Sequence, residues 1–144
     1  MISLDVNVLV YAHRPESADH SRVRDWLEAE LGSGRAFGVA SHVLSGFIRV
    51  VTHSRVFTQP TPLATALAFA DTVRERPNRV ELVPGGSHWS IFTDLCRAAG
   101  AKGNDVPDAF LAALAIETGS ELITTDRGFG RFAGLRWRHP LEET

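Results

Sequence analysis

Cysteine, lysine and long apolar runs are scarce in this sequence. A single cysteine, Cys96, excludes an intramolecular disulfide, and its spacing with Ile91, Phe92 and Leu95 marks a small buried hydrophobe. No Cys or His pair stands at zinc-ligand spacing. No apolar stretch approaches the roughly 18 residues of a membrane span, and the N-terminus lacks the basic and apolar regions of a signal peptide. No membrane association and a cytoplasmic location are therefore the expectations. Serine-hydrolase chemistry has no G-x-S-x-G elbow to rest on. The GSG at 32–34 ends a helix and lacks the Lys and Ser/Thr of a phosphate loop. Repeats, linkers and low-complexity segments are missing too, so residues 1–144 read as one domain. That length buries about two thirds of the unfolded surface and needs no staple to fold.

Charge of either sign is not in excess, since the net charge is -2, and this gives no global attraction to nucleic acid. The cations are lopsided, however: of the 15 Lys plus Arg residues, only Lys102 is a lysine. Arginine suits phosphate through its planar fork. GC-rich coding produces the same bias, and the scatter of the arginines over many elements leaves both explanations open.

Periodicity and punctuation predict alternating strands and helices. Residues 1–4 form a short apolar strand with Asp5 at its end, and 6–11 return as a buried turn of helix. Asp19 is expected to cap a helix whose face is Val23, Trp26, Leu27 and Leu31, terminated by Gly32 and Gly34. A strand at 37–40 follows, then a helix from Ser41 with Val43, Leu44, Phe47, Ile48 and Val51 on its apolar face. Pro60 and Pro62 open a helix bearing Leu63, Leu67, Ala70 and Val73. Helices 41–53 and 62–76 are expected to form a hairpin. A strand at 80–83, a helix at 88–99 capped by Ser87, and a strand at 135–138 complete the reading outside the central unit.

That unit is residues 104–129. A helix is predicted to begin within a residue of Pro107, because a proline disfavours helix before it and suits a first turn. Asp108 falls in that turn. Phe110, Leu111, Leu114 and Ala115 recur at helical spacing, and Gly119 ends the run. A strand at 121–125 then delivers Thr124 and Asp126 to a Gly-containing loop at 127–130.

Strands separated by helices imply an α/β fold, a mainly parallel sheet of four to five strands covered by helices on both faces, with ligands beyond the strands' carboxyl ends. Asp5 and Asp126 both fall there, and Asp108 reaches the same edge if the loop at 100–106 rises toward it. Converging carboxylates must be relieved by protonation, arginine or a divalent cation, and oxygen-only donors select Mg²⁺ or Mn²⁺. Such a site activates water for in-line displacement at phosphorus. Taken singly, Asp5 also reads as a strand-end acid bonded to local amides, and Asp108 as a complement to the helix dipole.

LDVNVLVYA (4–12), GNDVPDAFLAALAIETG (103–119) and TTDRGFGRFAGLRW (124–137), in that order, resemble the three motifs of the PIN-domain ribonucleases, and among them the VapC-type toxins of bacterial toxin-antitoxin pairs. PGGSHW at 84–89 is a further resemblance without an evident chemical role. The resemblance implies a three-layer PIN-like fold and a Mg²⁺- or Mn²⁺-dependent endoribonuclease, held in check by an antitoxin protein and forming a homodimer. It places Asp5 and Asp108 on the metal and Asp126 in the acidic site. Asn7 and Thr124 would orient ligands, and Arg49 or Arg127 would hold the RNA phosphate. One position departs from the family pattern: Gly46 stands where a glutamate usually precedes Arg49 by three residues. Asp105 is either a substitute for that acid or a solvated helix flank.

Other readings accompany these. A phosphoaspartyl-type phosphatase would also use an acid after the first strand, although Asp5 to Val8 lacks its usual second carboxylate. A binding module for RNA or antitoxin with a decayed site is encouraged by Gly46. His88 and Trp89 could meet RNA bases, although half-buried packing is the simpler expectation for Trp89.

Overall fold

The computed structural model describes residues 1–142. Five short strands, β1 Ile2–Leu4, β2 Phe37–Val39, β3 Arg79–Glu81, β4 Glu121–Ile123 and β5 Trp137–Arg138, form one sheet in the order β3-β2-β1-β4-β5. Every pairing is parallel. Among the described residues the six helices are α1 Val6–His13, α2 His20–Leu31, α3 Ser41–Val51, α4 Leu63–Arg74, α5 His88–Ala99 and α6 Asp105–Thr118. A 3-10 turn spans Arg127–Arg131.

β1 is central, between β2 and β4, and its ladder continues one residue beyond the strand because Asp5 N donates to Ile123 O at 3.1 Å. Parallel strands put all carboxyl ends on one edge, so the residues that follow β1 and β4 must emerge side by side. On β2, Gly38 is required by packing: a Cβ there would lie 2.5 Å from Leu82 Cδ1.

α6 is buried along most of its circumference through Ala109, Leu111, Ala112, Ala113, Leu114 and Ala115, and it packs against α5. Alanine gives good helix propensity with little bulk, so this helix can lie close to its neighbours. It starts at Asp105, two residues ahead of Pro107, with Val106 helical despite the proline after it. The missing N–H of Pro107 costs nothing in a first turn, whose donors have no partner within the helix. Both Asp105 and Asp108 consequently occupy that turn.

The structure corrects several local expectations. Asp19 precedes α2 in the left-handed region with no capping bond, and pairs with Arg22 instead. Ser87 does not cap α5 either. The carboxylate of Glu117 on α6 accepts from Gly85 N at 2.7 Å and Ser87 N at 2.9 Å. A Cβ on Gly85 would stand 2.9 Å from that carboxylate, which gives the PGGS stretch its structural reason.

The hairpin of α3 and α4 forms as expected, but α4 buries Ala66, Ala70 and Val73, leaving Leu63 and Leu67 at 59% and 44% exposure. Small side chains make the contact with α3 and the leucines point away. β3 begins one residue early and lies at a sheet edge, so Val80 and Val83 are exposed. Trp89 is 68% exposed, not half-buried; its neighbour His88 is the buried one, bonded to Phe110 O at 2.9 Å.

Candidate active site

Asp5 is both the last residue of the extended β1 backbone and the N-cap of α1, with Oδ1 accepting from Val6 N at 2.7 Å. Oδ2 accepts from Thr124 Oγ1 at 2.7 Å and Asn7 Nδ2 at 3.0 Å. Asn7 reaches across to the end of β4, donating to Thr124 Oγ1 at 3.1 Å and accepting from Thr125 N at 3.0 Å. Thr124 Oγ1 also accepts from Asp126 N at 3.0 Å. One polar network thus joins the two strand ends and fixes Asp5, Asn7, Thr124 and Asp126 relative to each other.

Asp126 caps the 3-10 turn, its Oδ1 accepting from Gly128 N at 2.8 Å. Asp108 projects from the first turn of α6. These three acids line one cavity of about 590 Å³ with Asn7, and α3 supplies much of the opposite wall through His42, Gly46, Arg49 and Val50. The spacing 42, 46, 49 is one helical stripe. Val10, Val56 and Phe57 add apolar lining.

Burial pushes the Asp5 carboxyl above its ordinary range against the bonds from Thr124 and Val6, and the charges of Asp108 and Asp126 push the same way. Asp108 is likewise raised, chiefly by burial, with Asp126 and Asp105 adding to it and Arg131 opposing. Carboxylates that disfavour each other's ionisation around one cavity are the arrangement a cation relieves.

Asp105 and Arg127 do not line the cavity. Arg127 pairs with Glu142 at 2.7 Å. Asp105 instead meets Arg131, a residue that motif reasoning passed over: its Nη2 lies 3.1 Å from Asp105 Oδ1 and 3.0 Å from Asp108 Oδ2. The signal available was the need of clustered acids for a counter-charge, with an arginine five residues after Asp126. His42, which shows no catalytic spacing in sequence, also lines the cavity. At Gly46, a Cβ would stand 3.0 Å from Val6 Cγ2.

The donor set fits a hard divalent ion in kind, since its oxygens come from three carboxylates on one wall. Among the described residues, however, no three His, Cys, Asp or Glu side chains are set to grip an ion as they stand. Arg131 occupies Asp108, and three bonds occupy Asp5.

A parallel α/β sheet carrying clustered acids beyond the carboxyl ends of its central strands defines a class of acid-site proteins. Within that class the chain belongs to the PIN domain family, whose model matches residues 2–135. It is 46% identical over 142 residues to VapC ribonuclease Mb2897 of Mycobacterium bovis, covering 99% of this chain and 97% of the relative. It is 38% identical over 140 residues to ribonuclease VapC25 of Mycobacterium tuberculosis, covering 97% and 99%. Among solved structures, VapBC2 from Rickettsia felis bound to a DNA fragment from their promoter superposes with a TM-score of 0.69 at 18% identity, covering 96% of this chain and 98% of the other. VapBC-1 from nontypeable Haemophilus influenzae gives 0.68 at 17%, covering 99% and 100%. Likeness at such identities speaks for the fold.

Proposed function

We propose that this protein is a Mg²⁺- or Mn²⁺-dependent endoribonuclease and the toxin of a toxin-antitoxin pair. The observation that carries the reading is the convergence of Asp5, Asp108 and Asp126 on one cavity at the carboxyl edge of a PIN fold. Its relatives named VapC ribonuclease support RNA as the substrate. Asp5 and Asp108 would hold the ion and Asp126 would complete the acidic wall. A bound divalent ion supplies Lewis acidity and lowers the pKa of water. Asn7 and Thr124 orient the acids from behind, and Arg49 on the facing wall holds the phosphate of the strand being cut.

Solved VapBC relatives support a protein partner of the antitoxin kind. Phe47 is fully buried and cannot serve such a partner. Val10, Val50 and Phe57 remain on the cavity wall, while the exposed Leu63 and Leu67 offer a surface for self-pairing as a homodimer.

A second reading, a binding module with a decayed site, draws on Gly46 and on the Arg131–Asp108 contact. RNA cleavage lost with chelator and restored by Mn²⁺ separates the two. Asp126→Asn keeps an oxygen for Gly128 N, so it should fold and lose about a hundredfold in rate, the usual scale for removing a charge-stabilising group. Cleavage indifferent to chelator and to this substitution would sink the metal-dependent reading.

A further inference from the structure

We infer that Arg131 is a positioning residue that holds the place of the cation on Asp108 and sets the site's affinity for divalent metal. This rests on the metal-dependent reading above and adds to it a competitor built into the chain.

Four contacts define the residue. Nη2 is shared between Asp105 Oδ1 at 3.1 Å and Asp108 Oδ2 at 3.0 Å, Nη1 donates to Gly128 O, and Cζ lies 4.4 Å from the Phe132 ring centroid. Only one of the four partners, Asp108, lines the cavity. Gly128 also donates its N–H to Asp126, so the residue that Arg131 holds by its carbonyl oxygen is the one whose amide orients Asp126. Arg131 thereby touches two of the three cavity acids, one directly and one through Gly128.

A cation that takes up Asp108 Oδ2 must displace the guanidinium from it, and one held by the other oxygen must share the carboxylate's charge with it. Asp105, Gly128 O and the Phe132 face keep Arg131 close when it lets go, because none of them is needed by the ion. Asp105 is then the retainer of Arg131 and not a substitute for the acid missing at Gly46.

Mn²⁺ binding measured by calorimetry, with no RNA present, tests this. R131M should tighten Mn²⁺ by roughly tenfold or more, the weight of one hydrogen bond to a charged group. The gain must exceed that of R127M, which removes an equal charge whose partner is Glu142. R131K should fall between parent and R131M, because one ammonium cannot hold Asp105, Asp108 and Gly128 O together. Melting curves show whether R131M folds, and if it does not, R131K decides, since it must still bind tighter than the parent. Affinity equal to or weaker than the parent's overturns the inference alone, provided the parent binds Mn²⁺. Absence of binding in all variants overturns it together with the metal-dependent reading.

Discussion

Thr124 donates its hydroxyl proton to Asp5 across 2.7 Å, joining residues 119 positions apart. The hydroxyl also receives Asn7 Nδ2 and Asp126 N–H, so one fully buried oxygen serves three groups of the site.

Thr124→Val keeps the shape and removes that oxygen. Asp126 N–H loses its acceptor and Asp5 a donor, and an unsatisfied buried group costs about 1–3 kcal/mol. Thr124→Ser keeps the oxygen and loses one buried methyl, about 1 kcal/mol. Urea unfolding should therefore rank parent, Ser, then Val in falling stability. A Val variant as stable as the Ser variant would mean the hydroxyl is not what joins the strand ends.

The raised carboxyls of Asp5 and Asp108 make a pH prediction with a definite sign. In the unfolded chain each ionises near its reference value of 3.8, whereas the folded protein holds the proton to higher pH. Their contribution to folding therefore becomes less favourable as pH rises from about 4 through the raised folded pKa values, and is level above them. Glu81, held down by Ser41 and Arg79, contributes in the opposite sense at lower pH. Asp108→Asn, which retains an oxygen for Arg131, should gain stability relative to the metal-free parent across the first window. A stability difference that does not change with pH would remove Asp108 from the electrostatic cluster.

Local signals carried the architecture because helices and strands are set by periodicity and punctuation a few residues apart. Asp5 and Asp126 followed from their places after strands, which parallel order turns into spatial neighbours, whereas Asp108, at a helix start, was joined to them by the family resemblance. Arg131 had only the general signal that clustered acids need a counter-charge, because its partners lie 23 and 26 positions earlier and on another element. The capping expectation failed at Asp19 because its backbone is left-handed and its carboxylate turns to Arg22, and at Ser87 because the segment before α5 is tied down by a distant residue instead. Glu117, 30 residues away, accepts from the backbone N–H of Ser87 and of Gly85, a contact that no local pattern signals. The exposed leucines of α4 have a like cause, since alanines on the other face let α3 approach more closely than leucines would.

Gly46 lies on the cavity wall in the middle of α3, where glycine costs a helix up to about 1 kcal/mol relative to alanine. Gly46→Glu regains that propensity but brings a Cβ to 3.0 Å from Val6 Cγ2. The two effects oppose each other, so melting should change little. The added carboxylate should tighten Mn²⁺ and raise RNA cleavage. Gly46→Glu with Val6→Ala relieves the close approach and should do so further. Unchanged metal affinity in both would show that the wall of α3 does not reach the ion.

Arg131 already demonstrates that a guanidinium can sit on Asp108 at 3.0 Å, which bears on how a partner would silence the site. An antitoxin segment needs an arginine for the acids and apolar residues for the wall made by Val10, Val50 and Phe57; charge-assisted pairing gives the first and burial the second. If partner arginine and divalent ion compete for the same carboxylates, raising Mn²⁺ should weaken the complex and relieve inhibition together. Asp108→Asn should also weaken the complex, because the partner's arginine loses a counter-charge while the apolar wall is untouched. Titrating the cognate antitoxin against parent and Asp108→Asn at low and high Mn²⁺ measures both effects. An affinity indifferent to metal and to Asp108 would place inhibition on the apolar wall alone, with the acids covered but not contacted.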